Sequence, residues 1–374
     1  MQLTITYSKL SEYYLAFSHV PGIGPYKVQQ LISYFGTIQA AYGAPADQLS
    51  RIMPTRTLKE FLTFRSEKDP YSILQNLLKR DIQILTFDLP QYPECLRNIA
   101  SPPLCLYIRG DMTLIAQQSI DSTTQKPHAI AVVGSRECTM YGRWLTELFT
   151  SRLASAGLTI VSGMAEGIDA LAHTIALRFK TATIAVLGSG IDVVYPKYNE
   201  NLYHRIIAEG GTVMSEFPPG TRVNRGLFVS RNRLISALSD GVLIIEGTSR
   251  SGTLKTAEHA GLQGRTIFLP PYNLNAEYGY TFSHLMQQGG TFVFSPDDIF
   301  EHLHIKPPAL PPELTLELTP AQAELMSFIR KEVATPDELS NRLNLPITTI
   351  LNRLSELEIA GYIAKNTLGE YYIC

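Results

Sequence analysis

Apolar residues recur at helical spacing from Leu10 to Val20, Val28 to Phe35 and Tyr71 to Leu78, with turn clusters such as Gly43 to Pro45 between them. The spacing predicts a small helical domain over residues 1–88. From about Tyr92 the texture changes to short β-branched apolar runs, each ending in Gly or Ser and followed by a helical stretch. These runs predict strands at Ala129 to Val133, Leu158 to Val161, Thr183 to Leu187, Thr212 to Met214, Val242 to Ile245 and Thr266 to Leu269. Several are apolar without interruption, as strands covered on both faces are. Strands alternating with helices imply right-handed crossovers and a parallel, doubly wound α/β sheet over residues 89–304. Polar Gln117 to His128 reads as a surface loop ahead of its first strand.

Residues 305–318, with Pro307, Pro308, Pro311 and Pro312, read as a semi-rigid linker. Over residues 319–374, Thr335 is a helix N-cap, Pro336 takes the first helical position, and Glu338 completes a capping box ahead of Leu339 and Leu343. A turn at Asn344 to Pro346, a helix from Ile347 to Ala360, a stop at Gly361 and two strands around Leu368 and Gly369 complete a winged-helix pattern. Thr315 to Cys374 carries five Lys/Arg against eight Asp/Glu, a net of −3, so a protein contact suits this domain better than DNA phosphate.

The 374 residues are 45% hydrophobic and 18% charged, which excludes disorder of the whole chain and fits two or three domains. A net charge of −2 gives no general attraction to nucleic acid, so such affinity requires a local basic patch. There is no run of 18 apolar residues and no basic segment leading into an apolar one at the start; no membrane span or secretory signal is expected, and a cytoplasmic location is. Cys95, Cys105, Cys138 and Cys374 lack CxxC or Cys/His ligand spacing, which argues against zinc and suits a reducing compartment.

Candidate chemistry concentrates at turns. Pro21-Gly22-Ile23-Gly24-Pro25 has the hairpin of a helix-hairpin-helix: either its N–H groups approach a phosphate, or it is a tight helical connection. The first predicted sheet strand ends in Gly134-Ser135-Arg136, whose planar guanidinium suits phosphate, and the next in Ser162-Gly163 with Gly167 before a helix. Such turns lie at strand C-termini, where open α/β sheets bind ligands. Gly188-Ser189-Gly190 lacks a third glycine, and no Gly-x-x-x-x-Gly-Lys-Ser/Thr loop occurs, so NAD and ATP sites are disfavoured. His173 reads as a hydrogen-bonded helix residue. In Phe217 to Arg233 the cations Arg222, Arg225, Arg231 and Arg233 interleave with Phe217 and Phe228, and the segment holds no acid. Cations tracking phosphates beside rings that stack on bases are what a single-strand groove needs. Ser249 to Ala257 puts small residues at a helix start, with Arg250 and Lys255 close by.

AVVGSRECTMYG, VSGMAEGIDALAH, IAVLGSGIDVVYP, SEFPPG, FVSRNRLISALSDGVLIIEG and SGTLKTAEHA, in that order, resemble the motifs of the DNA-processing protein A family, DprA or Smf. The resemblance is close from Tyr92 to Leu269 and looser in the flanks. It implies an extended Rossmann-like domain between a SAM-like or helix-hairpin-helix-like N-terminal domain and a winged-helix domain. It further implies a homodimer that binds single-stranded DNA without catalysis or cofactor, and loads the recombinase RecA in natural transformation, with a single-strand-binding protein as a further partner. Carried over by motif, Gly134, Ser135, Arg136, Ser162, Gly163 and Gly167 hold phosphates, Arg231, Asn232 and Arg233 line the pocket, and Ser251, Gly252 and Thr253 close it. Two departures stand out: Ser283 where the family has Asn, and Lys255 where an apolar residue is common, free to meet a phosphate or to pair with Glu258.

A competing resemblance is to LOG-type nucleoside-monophosphate phosphoribohydrolases, whose glycine-rich loop is similar to Ser251 to Glu258. That reading makes Glu258 catalytic and Arg136 the phosphate ligand. The apolar stretch Phe292 to Phe300 is the expected dimer surface.

Overall fold

In the computed structural model, residues 7–119, 127–248, 251–272, 277–307, 319–329, 334–359, 362–366 and 369–373 are described. The three N-terminal stretches with helical spacing form the helices Lys9–Ser18, Pro25–Phe35 and Pro70–Lys79, joined by Thr55–Glu67. Local chemistry starts two of them: Ser8 Oγ accepts from Ser11 N, and Asp69 accepts from Ser72 N ahead of Pro70 at the first position. Phe17 and Phe61, both fully buried, stack at 5.2 Å and bind these helices together.

Sheet strands begin earlier than the periodicity indicates. β1 (Gln83–Thr86) and β2 (Cys105–Gly110) pair antiparallel, and β2 continues antiparallel onto β6 with Tyr107 opposite Ser215. β3 (Ala129–Val133), β4 (Thr159–Ser162), β5 (Thr183–Val186), β6 (Thr212–Ser215), β7 (Gly241–Ile244) and β8 (Thr266–Leu269) lie within a residue or so of the predicted runs, and β9 (Thr291–Phe292) is added at the edge. The order is β1-β2-β6-β5-β4-β3-β7-β8-β9, with all neighbours from β6 to β9 parallel. Every residue of β3 to β7 is buried, the signature of strands covered on both faces. From β3 the chain winds one way to β6, then crosses to β7 on the other side of β3. A crevice opens at that reversal, above the C-termini of β3 and β7.

The chain divides into two compact units: Met1–Cys138 with Leu145–Pro307, and Thr139–Trp144 with Pro308–Cys374. The helical stretch and the sheet thus share one unit. In the other, Pro320–Ile329, Pro336–Leu343 and Ile347–Ile359 pack around Leu325, Leu339, Ile350 and Leu354, none of them exposed. The predicted capping box forms, with Thr335 N donating to Glu338 Oε2 at 2.8 Å and Glu338 N to Thr335 Oγ1 at 3.3 Å. β10 (Ile363–Lys365) and β11 (Tyr371–Ile373) make the wing. Most of the proline linker, the middle of the Gln117 to His128 loop, Ser249, Arg250, Gly361, Leu368 and Cys374 lie outside the described residues.

Candidate nucleic-acid interface

A cleft of about 1010 Å³ occupies the crevice above β3 and β7. One wall is the helix Arg225–Ala237, whose N-cap Asn224 accepts from Gly226 N at 2.8 Å. Arg225, Phe228, Val229, Asn232 and Ile235 line the cleft. They follow the i, i+3, i+4, i+7 spacing of one helix face, so the segment's chemistry is sorted by helical phase. Phe228 is central. Its ring fits against Gly188, where a Cβ would come within 2.5 Å of the ring, and Tyr195 lies 5.7 Å away. The guanidinium carbons of Arg136 and Arg231 stand 5.6 and 6.0 Å from its centre, within cation–π range.

Arg231 is buried, only 3% exposed. It donates through Nη1 to Val186 O, while its Nε has no hydrogen-bond partner. Burial pulls its pKa down to about 10 against the opposing pull of Asp169. That leaves it charged at neutral pH. Asp169, equally buried, accepts from Gly163 N at 3.2 Å and Ala165 N at 3.4 Å, tying down the turn after β4. Burial raises the Asp169 pKa, and Arg231 and these N–H donors offset the rise. A Cβ at Gly163 would fall 2.1 Å from Arg231 Nη1, so any side chain there displaces the guanidinium. Gly167, at φ 77°, lets the same turn press on the turn after β3, where a Cβ would meet Ser135 O at 2.4 Å.

The opposite wall is the start of the helix Gly252–Leu262. Its N-cap Ser251 makes no capping bond, and Ser251 Oγ is buried without a partner. The orphan N–H groups of this first turn face a cleft that also holds Arg136, Arg225 and Arg231. Asn232 Nδ2 donates to Gly252 O at 3.1 Å and joins the two walls.

The cleft therefore brings together Gly134, Ser135, Arg136, Arg225, Arg231 and Asn232 with Ser251, Gly252, Thr253 and Lys255. Five anticipated residues fall elsewhere. Arg222 is exposed but lies outside the lining. Ser162 is fully buried and spends its hydroxyl on Val132 O at 2.6 Å; Gly163 and Gly167 act through turn packing. Arg233 corrects the expectation that these arginines face no acid. Two positions from Arg231 on a helix it points to the other side, where it holds Glu216 through two bonds of 2.6 Å and donates to Ser101 O. Lys255 pairs with Glu258 at 2.8 Å, and Glu258, the carboxylate of the phosphoribohydrolase reading, lines the cleft as well.

Tyr195, Asn224 and Asp169 also line the cleft, and the sequence does not single them out. Tyr195 follows the Gly188-Ser189-Gly190 turn and its ring sits beside the Phe228 wall, a signal available only once that turn is known to face the helix. His173 is the buried helix residue expected. Thr183 Oγ1 donates to Ile160 O, so it must accept from His173 Nδ1–H at 2.7 Å. Burial and Arg231 pull the His173 pKa down to about 3, which fixes a neutral ring.

Among the described residues no group of three or more His, Cys, Asp or Glu is placed to hold a metal ion, and no helix is long and apolar enough to cross a membrane. The family model described as DNA recombination-mediator protein A matches residues 83–304, and the DprA winged helix domain model matches residues 295–366. Protein Smf of Synechocystis is 30% identical over 94% of this chain and 96% of its own length. The DNA processing protein DprA of Bacillus subtilis is 36% identical over 62% of this chain and 74% of its own. The X-ray structure of DNA processing protein A from Streptococcus pneumoniae superposes with a TM-score of 0.63 at 29% identity, covering 80% of this chain and 98% of that one. A structure of the Helicobacter pylori protein, described for its single-stranded DNA binding mode, superposes at 0.51 and 30% identity, covering 59% of this chain and 96% of that one. The chain belongs to the DNA recombination-mediator protein A family.

Proposed function

We propose that the cleft binds single-stranded DNA, with phosphates at Arg136, Arg225 and the Gly252 helix start and an unpaired base on Phe228. The observation that carries this is the Phe228 ring, flanked by two guanidinium groups and open to a cleft walled by an uncapped helix N-terminus. Every base offers a π-face, so such a site accepts strands regardless of sequence. A duplex keeps its bases stacked inside and cannot use the ring. The Helicobacter pylori relative, described for its single-stranded DNA binding, supports the same reading.

Beyond strand binding, we read the protein as a non-catalytic mediator that protects incoming DNA in the cytoplasm and loads RecA during natural transformation, as a homodimer and alongside a single-strand-binding protein. Family membership is the support for this finer role. Labelled single-stranded and double-stranded oligonucleotides titrated over a salt series, with light scattering for mass, test the binding and the dimer. Strong, salt-sensitive preference for single strands is expected; equal affinity for duplex would sink the reading. RecA filament growth on strands coated with single-strand-binding protein tests the loading step, and release of free base from nucleoside monophosphates would overturn the non-catalytic assignment.

A further inference from the structure

The Gly22-Ile23-Gly24 hairpin belongs to a basic and aromatic face that the cleft does not use. Tyr26 and Tyr34 lie eight positions apart on the helix Pro25–Phe35 and are 72% and 50% exposed. Lys27 follows Tyr26 in the chain and Arg51 reaches Tyr34, and the acceptors of these two cations are neutral. Lys27 Nζ donates to Ile52 O and Gln30 Oε1, both at 2.9 Å, and Arg51 Nη1 to Tyr34 OH at 3.2 Å, so none of these three bonds neutralises a charge. The hairpin abuts the start of the helix Thr55–Glu67 through Gly22, whose missing Cβ would lie 3.0 Å from Thr57 Oγ1. That start adds exposed Arg56, paired with Glu60 at 3.0 Å, and exposed Lys59. Lys27 and Arg56 sit in first turns that hold no acid, after the residues Gly24 and Pro54, which supply no side-chain cap. Cations there oppose both helix dipoles, an arrangement that an anionic partner relieves.

We infer that this face is a second contact for the single strand, outside the cleft, with phosphates on Lys27, Arg51, Arg56 and Lys59 and bases on Tyr26 and Tyr34. The tyrosines select a strand with unstacked bases, since a duplex offers phosphates but no free ring face. The inference rests on the proposed binding of single strands by this protein, and oligonucleotide length separates this face from the cleft. Full-length protein is titrated with oligothymidylates of about 6 and about 30 nucleotides, bracketing the length one compact site engages. Tyr26→Ala with Tyr34→Ala, and separately Lys59→Glu, should weaken the longer oligomer about fivefold or more while the shorter is bound as before. Lys59→Glu should also lower the salt slope on the longer one by about 0.7 for each phosphate that is no longer neutralised. Unchanged affinity for the longer oligomer overturns the inference, as does an equal loss on both lengths or a loss confined to duplex. Arg136→Ala should weaken both lengths; if it weakens neither while the surface variants still weaken the longer, the cleft reading fails and this surface stands.

Discussion

On the proposed reading, Arg136 and Phe228 divide the work of the cleft in a way that two substitutions separate. Arg136→Ala removes an exposed cation and should lower strand affinity together with a salt slope smaller by about 0.7. Phe228→Ala should cost about 1–3 kcal/mol of binding with the slope nearly intact, because a ring releases no counterions. Salt titrations of both variants check this, and a slope change for Phe228→Ala would break the division. Arg233 belongs to the fold instead. Its side chain and that of Glu216 are 11% and 12% exposed, so Arg233→Ala strands a nearly buried carboxylate and should destabilise by about 3 kcal/mol in denaturant, leaving strand affinity of the folded variant nearly unchanged. His173 adds a pH effect. Its folded pKa near 3 lies below the ordinary 6.5, so the unfolded chain takes up the proton first and stability falls as pH drops from about 6.5 toward 3. His173→Gln should flatten that fall relative to the parent in denaturation at pH 7.5 and 5.5. The sequence made Arg231 and Arg233 look alike, because composition carries no helical phase; only the start of the helix at Arg225 decides which of them reaches the cleft.

At the scale of elements, the two turns above β3 and β4 act as one piece. Gly167, at φ 77°, sits under Ser135 O and Arg136 O, and Ile168 N donates to Ser135 O at 3.2 Å. Gly167→Ala would force a strained backbone and an approach of 2.4 Å, so the Arg136 turn must move. We expect a loss of about 1–3 kcal/mol in stability and weaker strand binding in the same variant, measured by denaturation and titration. A variant that loses stability but binds as before would mean that the turns are independent. The predicted strands that form this frame were legible because burial on both faces leaves uninterrupted apolar runs flanked by glycine or serine. β1, β2 and β9 were not. β1 is four residues long at the end of a helical stretch, β2 reads Cys-Leu-Tyr-Ile-Arg-Gly, which a buried helix segment would match, and β9 has two residues. What identifies all three is pairing with distant partners, a tertiary fact.

For the whole molecule, charge sets the proposed strand site apart from the winged helix. Residues 315–374 carry a net charge of −3, whereas the cleft collects Arg136, Arg225, Arg231 and Lys255 in the other unit. The winged helix closes its own core around Leu325, Leu339 and Leu354, so truncation removes that core whole and leaves none of it behind. Truncation before Thr315 should therefore change single-strand affinity by less than about threefold, well under the tenfold that 1.4 kcal/mol represents. Any shift should be toward tighter binding at low salt, since the truncation removes net negative charge that would repel the strand's phosphates, and the shift should vanish as salt screens it. If instead the truncated protein binds much more weakly at every salt concentration, the winged helix contacts the strand directly, and the exposed face of Ile347–Ile359, with Thr348 and Asn352 on it, becomes the place to mutate.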